Sequence, residues 1–484
     1  MDQAASVLLN FPPSGQVTDD EYYKAARSHN LDVQKLALSP KFKDLAPQLL
    51  DHINPAVNSI SYLSLLVAVQ GANNLPLPDF LAKTAVFLTT FDSRQIRCAG
   101  KNFSTVLEWL TSGHLFPAPV AVELITTALL RLDRTGSVLT SHHVALVKLA
   151  YTTDNVDHAL PLLEKNIVFY PGVKGVTDTR PPCVWDLPPA SYITTDSGLT
   201  KQLTSNDVLQ YDFLRGLCFI QKRAWSKALA ALERVITYPA RDSHACSKIM
   251  IEAYNKWILV GLLHAGKTPT LPTITSAGAQ KAFASLGKPY QTLGKAFEEN
   301  TAAKLKAEFE TMGPQFFGEE NNLSLVRLVL QHYQRWQILN LRDVYTKISL
   351  EHIRAQTQSA ETAAPLATEA DVEKLLLQMI DEGMLAGRIE RPADGGPAYL
   401  TFIPPNDEIS ETKFALEMLS TQQRLEELAP VVRAMNDRLG SSKDYIKYLV
   451  NQGKKDKDGR RDYEMPFMDQ IEDEDLMAEV MTGL

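Results

Sequence analysis

Apolar residues recur at helical spacing along most of this chain, and strand-like alternation is confined to one short region. The clearest helical patterns run over Ile60–Gln70, Asp79–Thr90, Ala121–Leu132, His143–Tyr151 and Val156–Val168, each with apolar positions three and four apart. Thr18-Asp19-Asp20-Glu21 is a capping box and predicts the start of the first clear helix. Polar or proline-bearing turns separate these patterns. A succession of antiparallel helix pairs joined by short turns predicts a solenoid. Pro171 to Ser205 interrupts it with Pro171, Pro181, Pro182, Pro188 and Pro189, a composition that suits an extended connection.

Helices resume at Asn206. Gly216-x2-Phe219 followed by Ala228-x3-Leu232 reproduces part of the tetratricopeptide spacing. Gly216 and Ala228 would let two helices approach closely, with Phe219 and Leu232 filling the seam. Arg215 stands where that motif wants Leu, and no second clean copy follows. Further helices are predicted over Cys246–Leu263, Tyr290–Phe297, Ala303–Thr311 and Leu323–Leu339.

The organising stretch is Leu323 to Ile403, which reads as helix running into a small winged helix. Asn340–Lys347 places Leu341, Val344, Tyr345 and Ile348 at helical spacing. Ser349 caps a second short helix, Leu350–Gln356. Thr368, with Asp371 at the capping-box offset, starts a third that carries Val372, Leu375, Leu376, Met379 and Ile380 on one face. Gly383 suits a left-handed helix end. Leu385–Glu390 and Ala398–Ile403 then read as two wing strands joined by Pro392-Ala393-Asp394-Gly395-Gly396-Pro397, a hairpin signal. Candidate contact residues on the wing are Arg388, Ile389, Tyr399, Thr401 and Phe402.

Ser410 begins another helix. Met418, Leu425, Val432, Leu439 and Ile446 recur every seven residues, and Phe414, Leu428, Met435 and Leu449 take a second seam position. Pro430 predicts a kink or restart, so two packed segments are expected. Phe414, Met418, Leu425, Leu428, Val432, Met435 and Leu439 are the candidate partner contacts here. The fold class is then an all-α solenoid of antiparallel, tetratricopeptide-like helix pairs, followed by a winged helix with a small β wing and C-terminal helices. The expected divisions are N-terminal repeats over 1–170, the connection over 171–205, repeats over 206–339, the winged helix over 340–405, bundle helices over 410–450 and a charged tail over 451–484.

Composition narrows the function. The formal net charge of −8 argues against nucleic-acid binding, whose footprint is basic. The third helix agrees, since Glu369, Asp371, Glu373, Asp381 and Glu382 face Lys374 alone and would repel phosphate. Cys98, Cys183, Cys218 and Cys246 form no CxxC pair and read as reduced and intracellular. The N-terminal stretch lacks a signal-peptide pattern. Gly261-Leu262-Leu263-His264-Ala265-Gly266-Lys267-Thr268 matches GxxxxGK[ST], but a phosphate loop needs a strand before it and a helix after it. Here a helical pattern precedes, and Pro269 and Pro272 follow. The ten histidines show no metal spacing, and His142-His143 reads as exposed or capping. No GxSxG elbow is present, and neither catalytic residue, cofactor nor metal is assigned.

Helical repeats running into a winged helix resemble the PCI family of the proteasome lid, the signalosome and initiation factor three. The resemblance is carried by Glu252-Ala-Tyr-Asn-Lys-Trp-Ile-Leu-Val260, by Glu320-Asn-Asn-Leu-Ser-Leu-Val326 and by Ile338 through Leu350. It covers about Asn206 to Ile403 and points most closely to signalosome members. It implies a non-catalytic scaffold whose winged helix joins an arc and whose C-terminal helix joins a shared bundle. It further implies neighbours among signalosome subunits, foremost one and eight, in cytoplasm and nucleus. The implied complex removes the modifier Nedd-eight from cullins at a zinc site on another subunit. A proteasome-lid or initiation-factor subunit is the alternative, and a nucleic-acid- or nucleotide-binding protein a disfavoured one.

Overall fold

The computed structural model describes all residues except 1, 14, 16, 38, 114, 172–179, 186, 240–245, 300, 392–395, 404–410, 441, 444 and 452–484. The chain divides into two units, Met1–Gly172 with Thr179–Leu425, and Val173–Asp178 with Glu426–Leu484. In the larger unit, helices follow one another from Asp19–Ala37 to Leu323–Leu341; many bury one face, while Ser59–Ala72 and Lys248–Ala265 are buried nearly all round. Gly100–Thr111 is representative, with Phe103, Val106, Leu107 and Leu110 buried at i, i+3, i+4 and i+7. Thr18 and Glu21 make the expected capping hydrogen bonds. Gly216 meets Leu232 across the predicted pair Ser205–Gln221 and Trp225–Ile236, where an added Cβ would lie 3.0 Å from Leu232 Cδ2.

Three expectations about these repeats are corrected or refined. The helix from Val156 ends at Leu163 instead of Val168. Arg215 explains the stop: its Nε donates to the Leu163 carbonyl at 2.6 Å and its Nη2 to the Lys165 carbonyl at 3.1 Å. The chain then leaves helical geometry, and Phe169 bridges Val138 in parallel.

Second, the connection after Pro171 stays outside the repeat helices, and much of its described length packs as a strap, with Trp185 exposed. Cys183, Leu187, Tyr192, Ile193 and Leu199 are buried. Arg97 Nη1 donates to the Pro182 and Val184 carbonyls at 3.0 and 2.8 Å, and Tyr192 Oη to the Leu132 carbonyl at 2.9 Å.

Third, His142 and His143 are both 3% exposed instead of surface residues. His143 does cap, with Nδ1 2.8 Å from Thr140 Oγ1, and His142 Nε2 lies 3.0 Å from Ser104 Oγ. Burial lowers both, His142 to about 4 and His143 to about 3. A histidine kept neutral by the fold charges only on unfolding, so its contribution is complete above the unfolded value near 6.5 and is lost as pH falls toward the folded value. Between pH 7 and 4 we expect His142 to withdraw on the order of 3 kcal/mol. His142→Gln should flatten the plot of unfolding free energy against pH across this window. An unchanged slope would show that other groups set the acid sensitivity.

The GxxxxGK[ST] segment forms a helix end. Lys248–Ala265 closes on Gly266, at φ +66, whose N–H donates to the Leu262 carbonyl. A Cβ on Gly266 would lie 2.6 Å from the Trp336 ring, and one on Gly261 2.3 Å from Pro269, so both glycines serve close packing. A helix C-terminus presents carbonyls, the wrong polarity for phosphate.

Beyond Leu341 the winged-helix expectation meets a correction. Asn340–Lys347 is not a helix. The helix ends at Leu341, and Lys347–Ser349 is a strand, β1. With β2 (Gly387–Glu390) and β3 (Tyr399–Phe402) it forms a three-stranded antiparallel sheet of order β1-β3-β2. Ile348 pairs with Leu400, and that cross-strand pairing is invisible to local periodicity. Leu350–Gln356 and Glu369–Asp381 form as expected, capped by Ser349 and by the Thr368–Asp371 box. Val372, Leu376 and Met379 pack with Ile348, Ile353, Leu400 and Phe402 into one core, and Leu375 and Ile380 lie against it. Gly383 has φ +72. Hairpin residues 392–395 and the tail from 452 lie outside the described residues.

The last long helix, Glu411–Gly440, runs through Pro430 without a break, which corrects the expected two segments. Proline's φ near −65° is itself helical, so its direct penalty is one missing donor and crowding of the preceding turn. Helical turns follow again over 445–451. Among the described residues, no helix is long and apolar enough to cross a membrane.

Candidate assembly surface

The sheet has one face in the core and one outside. Residues opposite one another in an antiparallel pair point the same way, and the pairs are Gly387–Phe402, Arg388–Thr401, Ile389–Leu400 and Glu390–Tyr399. Leu400 and Phe402 are buried and Ile389 packs against their core. Two of the five candidate wing residues, Ile389 and Phe402, therefore hold the subdomain together. Side chains of Arg388, Thr401 and Tyr399 stand on the other face, with Glu390 and Lys347. Lys347 Nζ lies 2.7 Å from Glu390 Oε2 and 5.2 Å from the Tyr399 ring centroid. This face is polar with one aromatic, and β1 and β2 form the sheet's two edges that a neighbouring strand could extend.

Charge on the third helix is partly neutralised. Arg391 Nη2 bonds both Glu373 carboxylate oxygens at 2.6 Å, and Arg335 pairs with Glu382. The arginines come from outside that helix, so its own composition overstates its acidity.

On the helix Glu411–Gly440 the candidate stripe is open. Phe414 is 56% exposed, Leu425 64% and Val432 49%; Met418, Met435 and Leu439 are also exposed, and Leu428 is half-buried. The wing residues and this stripe belong to different elements, and each is a surface in its own right. Among the described residues no cluster of His, Cys, Asp or Glu has the geometry to hold a metal ion.

Two stretches singled out in the sequence do come together, far from both surfaces in sequence. Lys256 Nζ donates to Asn322 Oδ1 at 2.8 Å and pairs with Glu252 at 3.0 Å. Asn322 Nδ2 donates to Tyr290 Oη at 2.7 Å, and Tyr290 Oη to Glu320 Oε2 at 2.6 Å. Lys256 and Asn322 are buried, so this chain of bonds fixes the helix Lys248–Ala265 against the start of Leu323–Leu341. Sequence reasoning missed it because its members lie far apart along the chain.

A family model described as COP9 signalosome complex subunit 3, N-terminal helical repeats, matches residues 28–278. The COP9 signalosome complex subunit 3 of Neurospora crassa is 49% identical over 93% of this chain and 92% of its own length. The chain belongs to the COP9 signalosome complex subunit 3 family. The subunit 3 protein of Emericella nidulans is 28% identical over 86% of this chain and 82% of its own, and that of Dictyostelium discoideum 24% identical over 83% and 86%. The likeness to subunit 3 proteins thus reaches well before Asn206, where the sequence reading began it. The matched repeat region spans the strap, consistent with its packing as part of the helical array.

Proposed function

We propose that the chain is a non-catalytic scaffold subunit of a COP9 signalosome and docks through its three-stranded subdomain and its last long helix. The observation that carries this reading, beside family membership, is the open apolar stripe from Phe414 to Leu439. A heptad stripe left in water is a helix awaiting partners. The helix–strand–helix–helix–hairpin order supports reading the subdomain as a winged helix, joined to its like in neighbouring subunits. On this reading subunits one and eight are the first neighbours, in cytoplasm and nucleus, and deneddylation of cullins belongs to another subunit. Affinity purification of the tagged full chain with quantitative mass spectrometry tests the reading: signalosome subunits should be recovered in near-equal amounts. Recovery of proteasome-lid or initiation-factor subunits in their place would overturn it.

The two faces of the sheet give a sharper expectation. Arg388→Glu reverses an exposed charge and should leave the melting temperature unchanged while weakening subunit capture. Phe402→Ala empties a buried site and should destabilise the subdomain by about 3–5 kcal/mol. Equal capture by the folded Arg388→Glu protein would remove the outer face from the docking surface.

A further inference from the structure

Two of the four cysteines meet in space. Cys98 follows the short helix Ser93–Ile96, and Cys183 lies in the packed strap. They are 85 residues apart in sequence, yet their sulfurs are 3.2 Å apart, and both are free thiols. The strap is pinned on both sides of Cys183. Arg94 Nε donates to the Cys183 carbonyl at 2.6 Å, and Arg97 Nη1 to the Pro182 and Val184 carbonyls at 3.0 and 2.8 Å. Arg94 also stacks on Tyr22, and Arg97 on Tyr192, at 3.8 and 3.7 Å. The approach of the two sulfurs is therefore built into the packing between strap and first repeats. Cys183 is buried and Cys98 partly exposed, so a small oxidant reaches the pair from the Cys98 side.

We propose that Cys98 and Cys183 form a dithiol modification site that a hydroperoxide converts to a disulfide, fastening the strap covalently to the first repeats. The sulfur of Cys183, as thiolate, attacks one peroxide oxygen. The O–O bond breaks, Cys183 becomes a sulfenic acid, and the remaining oxygen leaves as alcohol or water. The Cys98 sulfur then attacks the Cys183 sulfur, the S–O bond breaks, and the hydroxyl leaves as water with the Cys98 proton. Two thiols are oxidised by two electrons and the peroxide is reduced by two. The bonding between the sulfurs suits this chemistry. The hydrogen bond from Cys98 lowers the Cys183 thiol, and Arg94 and Arg97 act in the same direction, so one proton is shared between a thiol and a nascent thiolate. In a reducing compartment a disulfide of this kind is transient, formed by the oxidant and reopened by thiols.

The test uses the reduced full chain and hydrogen peroxide as the probe. After stepwise oxidation, free thiols are alkylated and the digest is read by mass spectrometry. A peptide pair linking Cys98 to Cys183 should form before Cys218 or Cys246 loses alkylation, and dithiothreitol should reverse it. The linked protein should resist limited proteolysis within 180–204 and melt at a higher temperature than the reduced one. Cys98→Ser and Cys183→Ser should each abolish the link, and Cys218→Ala should leave it. The proposal fails if both residues remain alkylated when Cys218 or Cys246 is already oxidised. It fails equally if either residue proceeds to sulfinic acid with no link to the other.

Discussion

Leu425→Asp combined with Val432→Asp is expected to abolish co-purification with partner subunits and to leave the melting temperature of the isolated chain unchanged. Both side chains are about half exposed or more, so their replacement removes little that the chain buries by itself. In a complex the balance reverses. Burial of each apolar side chain contributes roughly 1.5–3 kcal/mol, and an unpaired carboxylate in its place adds a desolvation penalty. Loss of two such contacts amounts to about 3–6 kcal/mol before that penalty, or a hundredfold to more than ten-thousandfold in affinity, at roughly 1.4 kcal/mol per factor of ten. Analytical gel filtration with the partner subunits reads the effect directly. Early melting or aggregation of the isolated variant would show that the helix covers the chain's own core.

The stripe was legible because heptad spacing lies within one helix. Features that depend on meetings between distant segments were not. Val156–Val168 and Asn340–Lys347 both carry helical periodicity, and both were overridden by partners elsewhere: Arg215 ends the first, and pairing of Ile348 with Leu400 claims the second. Caps depend on three or four neighbouring residues, so Thr18, Ser349 and Thr368 were read correctly. Wing strands were placed, but β1 and the register were not, and without register the inward Ile389 and Phe402 could not be told from the outward Arg388 and Thr401. Cys98 and Cys183 gave no signal because only the fold of the strap joins them.

Arg215 gives the second large expectation. In the tetratricopeptide pattern its place belongs to Leu, and it is buried here beside an equally buried Asp212. Its nearest approach to Asp212 is 3.7 Å, and Arg234 Nε reaches the same carboxylate at 3.5 Å. Burial raises the Asp212 carboxyl, and the two arginines oppose that shift. Arg215→Met would remove one counter-charge and the donors to two carbonyls at once. Breaking a buried pair from one side costs about 3–5 kcal/mol, and we expect a loss in this range from urea denaturation. Adding Asp212→Asn should restore part of it, because the stranded charge is then gone. A loss under about 1 kcal/mol for Arg215→Met would mean that Arg234 and solvent suffice for Asp212.

Radical footprinting of the chain, free and within the purified complex, tests assembly through the last helix most directly. Met418 is 57% exposed and Met435 44%, whereas Met379 is fully buried in the subdomain core. Oxidation should be rapid at Met418 and Met435 in the free chain and strongly suppressed at both in the complex, with Met379 protected throughout. Met418 and Met435 oxidised equally fast in the assembled complex would contradict the account.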